Sequence, residues 1–174
     1  PKKVFGDPAQ LKILREKFFA SAQTPLIMKD TKIFLDWIAA QPGVKPGPIG
    51  TTGYCMGGRL SVIAAATYPD RIAATAAYHP GGLATDAPDS PHALAPQIKS
   101  RVYVGGASED SSFDDAAKAR LEDALTKAGV EHEIVTFPAK HGWVFRDTPV
   151  YDAAQSERHY ETLFALLDPV LKSG

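Results

Sequence analysis

Cysteine is all but missing from this chain: its 174 residues include one, Cys55. A single thiol excludes an internal disulfide and suits a reducing compartment, so a cytoplasmic location is expected. An excess of one charge is missing too, since Lys and Arg number 19 against 20 Asp and Glu. A formal net charge of −1 offers no field to attract nucleic acid or an anionic membrane surface, and neither partner is expected. No apolar run reaches the roughly 18 residues of a membrane span. The opening stretch, Pro1-Lys2-Lys3-Val4-Phe5-Gly6-Asp7-Pro8, lacks the apolar core of a signal peptide. Gly-Gly pairs at 57–58, 81–82 and 105–106 are not followed by Gly-Lys-Ser/Thr, and no dinucleotide fingerprint occurs. The histidines and acids show no metal-ligand spacing, so neither metal nor cofactor is expected. Internal repeats and low-complexity segments are also lacking. The 44% hydrophobic content and the length fit one domain, residues 1–174, with a real core.

Leu11, Ile13, Leu14, Phe18 and Phe19 give residues 9–24 a roughly helical spacing after an Asp7-Pro8 start signal. Pro25 breaks that segment. A second helix is predicted from about Ile27 to Ala40, with Ile33, Phe34, Trp37 and Ile38 on one face. Strands are then predicted at Ile49 to Tyr54, Arg71 to Tyr78, Arg101 to Val104 (closed by Gly105-Gly106) and His132 to Phe137. Helices are predicted at Gly58 to Thr67, Asp114 to Ala128 and Tyr151 to Leu171, with Gly129 as a C-cap signal. Residues 79–97, rich in Pro and Gly, read as a loop on the surface or over a site. Strands alternating with helices indicate an α/β domain with a mainly parallel sheet and flanking helices. Two helices precede the first of only four strands, so the chain reads as starting partway through a larger fold.

The lone cysteine lies in Gly53-Tyr54-Cys55-Met56-Gly57-Gly58, between a predicted strand and a predicted helix. That context is a nucleophile elbow, a sharp turn that lifts a reactive side chain above a sheet. Glycines are expected at its flanks because the nucleophile adopts a strained backbone and its neighbours pack closely. Cys55 is therefore a candidate thiolate nucleophile, and the Met56 N–H a candidate oxyanion donor. A base should follow later in the chain, preceded by an orienting acid. His141, in the loop after the last predicted strand, fits the base, and Gly142 beside it permits an unusual backbone. Asp110, in Gly105-Gly106-Ala107-Ser108-Glu109-Asp110-Ser111-Ser112-Phe113, fits the acid, with Glu109 its nearest competitor. Asp114 better suits the cap of the following helix, which leaves Asp110 free. With His141 as base, kcat/KM is expected to fall on acidification near the ordinary histidine range, about 6.5. His79 is expected near the site rim, whereas His92, His132 and His159 read as solvated surface residues.

These motifs resemble the dienelactone hydrolase family, an α/β-hydrolase branch with a cysteine nucleophile. The resemblance rests on GYCMGG at the elbow, AAYHPGGL after it, GGASEDSSF for the acid turn and KHGWVF for the histidine turn, and it covers most of residues 30–168. It places the family's triad on Cys55, Asp110 and His141. It implies hydrolysis of a small ester or lactone through an acyl-enzyme, without a cofactor. Family members open with several strands before the two helices seen here, and those strands carry the second oxyanion donor. The domain is thus expected to be N-terminally incomplete, with a bare sheet edge that invites homo-oligomer formation. The arginine that the family places shortly after its catalytic histidine is replaced by Phe145, with Arg146 one residue further on. Trp143 and Phe145 are then expected to form an apolar wall. Tyr54, His79, Trp143, Phe145 and Arg146 are the candidate substrate-binding residues. The competing expectations are a catalytically silent α/β domain and a redox-sensitive thiol protein, since a low-pKa exposed Cys oxidises readily.

Overall fold

The computed structural model describes residues 7–172, so the signal-peptide reading of the first six residues lies outside them. The chain divides into two compact units: Pro1–Pro46 with Asp147–Pro149, and Gly47–Arg146 with Val150–Gly174.

In the first unit the predicted 9–24 helix is two pieces. Helix α1 spans Pro8–Ile13, and the Asp7 carboxylate caps it by accepting the Ala9 N–H at 2.9 Å. A π-helical stretch follows over Leu14–Phe19. Helix α2 spans Thr24–Ala39 and starts earlier than predicted. Pro25 falls in its first turn, where a missing N–H costs nothing, so this proline opens a helix as well as ending the stretch before it. Met28 and Leu35 are buried, whereas Ile33, Phe34 and Trp37 are 61–65% exposed.

The second unit holds β1 (Ile49–Tyr54), α3 (Met56–Thr67), β2 (Ile72–Tyr78), a 3-10 helix (Pro91–Gln97), β3 (Arg101–Glu109), α4 (Asp115–Ala128), β4 (His132–Lys140) and α5 (Ala153–Leu171). The four strands lie in chain order, β1-β2-β3-β4, and every pair is parallel. Strand alternation sends successive side chains to opposite faces. Ala77, Val102 and Val104 meet Val62 and Ala66 of α3 and Leu121 and Leu125 of α4 on one face. Ala74, Ala76, Tyr78 and Tyr103 meet Leu163 and Leu166 of α5 on the other. The alanines of β2 thus face packed layers on both sides, which explains a buried strand with so few large residues. Among the described residues β1 pairs on one side only, with β2. No described helix is long and apolar enough to cross a membrane.

Two predicted boundaries are corrected. Strand β3 does not stop at Gly105-Gly106 but runs through both to Glu109. A side chain at Gly105 would collide with the Tyr78 and Phe137 rings, so glycine here makes room for aromatics rather than ending a strand. Strand β4 likewise continues past Phe137 through Pro138, tolerable because β4 pairs only with β3 and an edge position leaves no ladder bond to lose. The 79–97 segment is only partly on the surface: residues 85–89 are exposed, while stretches on either side of them pack inward. Leu83, Ala84 and Ala95 are buried in the core, and Arg120 of α4 holds it by donating to the Ala84 carbonyl at 2.8 Å and to Asp86 at 2.6 Å.

Candidate active site

The site lies in the second unit, at the ends of β1, β3 and β4. Cys55 stands between β1 and α3 with φ 54° and ψ −123°, a conformation that L-residues adopt only under strain. The approach that forces it is visible at Gly53. A Cβ there would overlap the Gly57 backbone, and the Gly58 position is also tight against the Gly53 carbonyl. Gly57 itself faces open space, so of the three flanking glycines it alone has no steric cause. Cys55 is exposed, and its N–H donates to the Tyr78 carbonyl at 3.0 Å, which docks the turn on β2.

Asp110 follows β3 directly. Its side chain is 3% exposed and its Oδ2 lies 2.7 Å from His141 Nδ1. A carboxylate can only accept, so Nδ1 carries the proton and Nε2 is turned to the thiol. The other oxygen, Oδ1, accepts from the Ser112 N–H at 2.9 Å and the Ser112 hydroxyl at 2.6 Å, so both carboxylate oxygens are held. Asp114 caps α4 by accepting the Ala117 N–H at 2.8 Å. The competitor Glu109 is turned to Lys140 at 3.6 Å on the surface. His141 sits in the turn after β4, made possible by Gly142 at φ 90°, where an L-residue would be strained.

Charges follow from these contacts. The hydrogen bond from His141 lowers the Cys55 pKa against the opposing effect of burial, and the Met56 N–H on the sulfur lowers it further. The hydrogen bonds with Asp110 and then Cys55 raise His141 to about 10. Burial pushes Asp110 up, but the His141 and Ser112 hydrogen bonds outweigh it and its pKa falls below the usual carboxylate range. All three shifts favour a thiolate beside an imidazolium beside a carboxylate. A thiolate so placed can attack an electrophilic carbon, and the imidazolium can return a proton.

The candidate substrate-binding residues separate. Phe145 is 41% exposed, with its ring 5.7 Å from Tyr54 and 5.8 Å from His79, and Arg146 is exposed. His79 and Trp143 are both 0% exposed, so the expectations of a rim position for His79 and a wall position for Trp143 are corrected. The His79 ring lies 4.6 Å from that of His141 and 5.1 Å from that of Trp143, brought inward by the sharp turn after β2 at His79, φ 39°. Tyr54 is tied down through its hydroxyl, 2.7 Å from His159 Nε2.

His159 is the principal residue that the sequence reading misplaced. It is buried, and its Nδ1 lies 3.1 Å from the Ser156 carbonyl. Its signal was available: Ser156, His159, Leu163 and Leu166 share helical spacing on the buried face of α5. His132, also read as solvated, is mostly covered and lies 2.7 Å from the Val130 carbonyl and 3.2 Å from Glu122. His92 is part-buried against the Ser90 hydroxyl at 2.8 Å. Ser112 was not singled out either, although Asp-x-Ser is a local turn pattern.

A parallel sheet covered by helices on both faces, with a strained residue at a strand-to-helix turn, places the fold among the α/β-hydrolases. The sequence model of the dienelactone hydrolase family matches residues 2–171, and the chain belongs to that family. A Synechocystis sp. protein named "Putative carboxymethylenebutenolidase" is 29% identical over 150 residues, spanning 84% of this chain and 60% of that protein. An Escherichia coli protein of the same name is 26% identical over 164 residues, again with 60% of its length covered. The chain therefore spans about three fifths of these curated relatives. In fold it is similar to dienelactone hydrolase from Anabaena variabilis, with a TM-score of 0.62, 20% identity, and coverage of 91% of this chain and 68% of that one.

Proposed function

We propose that the chain hydrolyses small esters or lactones, in the manner of a carboxymethylenebutenolidase, through a Cys55–His141–Asp110 triad. The observation that carries this reading is the continuous path of hydrogen bonds from Asp110 through His141 to the Cys55 sulfur, which also receives the Met56 N–H. The Cys55 thiolate attacks the carbonyl carbon, a C–S bond forms, and the carbonyl electron pair moves to oxygen, where the Met56 N–H stabilises it. Collapse breaks the ester C–O bond, and the leaving oxygen takes the proton from His141 Nε2. His141, now neutral, takes a proton from water as its oxygen attacks the thioester. The second collapse expels the thiolate and releases the acid, restoring the ion pair. Asp110 holds the ring in the useful tautomer throughout, and neither metal nor cofactor is required.

Phe145 offers the substrate an apolar surface and Arg146 a positive charge at the mouth. A persistent thiolate suits a reducing compartment, so the cytoplasm is the location we assign. The side of β1 that pairs with no described strand makes self-association part of the same reading, checked by sedimentation at increasing concentration. Hydrolysis of p-nitrophenyl acetate tests the chemistry: Cys55→Ala and His141→Ala should abolish it, and mass spectrometry should find one acyl group on Cys55. Stable oxidation of Cys55 by peroxide, with no ester turnover in the wild-type chain, would favour the redox-sensitive thiol instead.

A further inference from the structure

His79 carries several costs with no structural return of its own. It is the one described residue besides Cys55 that combines a side chain with positive φ. Its ring is fully buried, and neither Nδ1 nor Nε2 finds a hydrogen-bond partner in another residue. Burial, and then the nearby His141, pull its pKa down to about 4, so the ring is uncharged at neutral pH. A residue kept only to turn the chain would be glycine, and one kept only to fill space would be aliphatic.

The surroundings show what the ring is set against. The His79 and His141 ring centroids are 4.6 Å apart with planes at 58°. On its other sides His79 meets Trp143 at 5.1 Å, Phe145 at 5.8 Å and Tyr54 at 6.0 Å. His141 therefore lies between the Asp110 carboxylate at Nδ1 and the tilted, uncharged ring of His79. The π-electrons of an aromatic ring attract a cation, and His141 is the cation of the resting pair. Choice of residue type follows. The backbone needs positive φ, which His tolerates several-fold more readily than most side chains, and the neighbour needs a flat, uncharged ring. Histidine meets both demands.

We propose that His79 is a positioning residue: its buried ring, packed 4.6 Å from that of His141, holds His141 turned toward Cys55 and so sustains the thiolate. This rests on the Cys55–His141 pairing given above. Besides Cys55 and His141, the titratable groups facing His79 are Asp110 after β3, His159 on α5 and Tyr54 on β1. Asp110 is an anion, and the other two are neutral near pH 7.

The test follows the Cys55 thiolate by its ultraviolet absorbance and by iodoacetamide alkylation rate across pH, in the 174-residue chain and in His79→Phe and His79→Leu. Both variants are apolar and both place a side chain at the same positive φ, and only Phe keeps an aromatic ring. Circular dichroism checks that each is folded. His79→Phe should keep the low thiol titration, whereas His79→Leu should raise it by about one pH unit, roughly a tenfold loss of thiolate at a pH well below both midpoints. A Leu variant titrating like wild type would overturn the inference, and so would a Phe variant shifted as far as Leu. Ester turnover is measured alongside. A low, His79-dependent thiol pKa without turnover would sink the hydrolase reading and leave this inference standing.

Discussion

The Tyr54 hydroxyl and His159 Nε2 lie 2.7 Å apart, which fastens the last residue of β1 to the buried face of α5. The direction is fixed by His159 itself: its Nδ1–H donates to the Ser156 carbonyl, so Nε2 accepts from the tyrosine. Tyr54 immediately precedes Cys55, so this bond positions the elbow from beneath. Truncating either partner leaves the other unsatisfied, at about 1–3 kcal/mol. Tyr54→Phe and His159→Leu should each lower stability, and the double variant should lose less than the two together. A double-mutant cycle in urea measures the coupling, expected at roughly 0.5–3 kcal/mol.

The elbow's glycines should not be equivalent. Gly53→Ala would drive a Cβ into the Gly57 backbone, which cannot yield without displacing the start of α3. Its cost should reach or exceed the top of the usual overpacking range, about 1–3 kcal/mol. Gly57→Ala meets open space and replaces a poor helix former, so it should stabilise α3 by up to about 1 kcal/mol. Thermal melts of the two variants check the contrast.

The pH dependence should differ from that of an ordinary histidine base. The lowered Cys55 pKa and the His141 pKa of about 10 move both limbs of kcat/KM outward, so His141 itself no longer titrates near 6.5. Activity should fall in acid as the thiolate is protonated, below the usual cysteine range, and again near pH 10 as His141 loses its proton. Asp110→Asn removes the largest cause of the raised His141 pKa, so the alkaline limb should move down. The rate should fall on the order of 10²–10⁴-fold. A pH–rate series on both proteins decides it.

Acid should destabilise the fold partly through His79. Its folded pKa, about 4, lies below its ordinary value, so the unfolded chain binds the extra proton between the two. That contribution is fully present above about 6.5 and is lost as pH falls toward 4. His79→Phe should remove it, flattening the pH slope of unfolding free energy in that window by up to roughly 1.4 kcal/mol per pH unit. Denaturant titrations from pH 7 to 4 compare the slopes, whatever strain Phe adds at every pH.

What could be read from the sequence was local. The elbow around Cys55, the Asp114 cap and the turn residues beside Asp110 and His141 are each short patterns with their own chemistry. What escaped depended on neighbours distant in the chain. Gly105 reads as a strand end until the Tyr78 and Phe137 rings are seen to require its bareness. The 79–97 segment reads as a loop on the surface or over a site, and the burial of Leu83, Ala84 and Ala95 within it depends on Arg120 and the core. His79 and His159 read as rim and surface because polarity suggests water, whereas the turn after β2 and the inner stripe of α5 carry them inside.

The chain-order sheet also sets when the thiol becomes reactive. Each strand pairs with its successor in sequence, so a growing polypeptide can add strands one at a time with short loop closures. Cys55 emerges after the first strand, but the largest cause of its lowered pKa, His141, arrives only after the fourth. Until β4 docks, the sulfur lacks the largest cause of its low pKa and keeps only the Met56 N–H. Assembly of the last strand is therefore what arms it, and a nascent or partly unfolded chain is spared the oxidation to which the finished site is exposed.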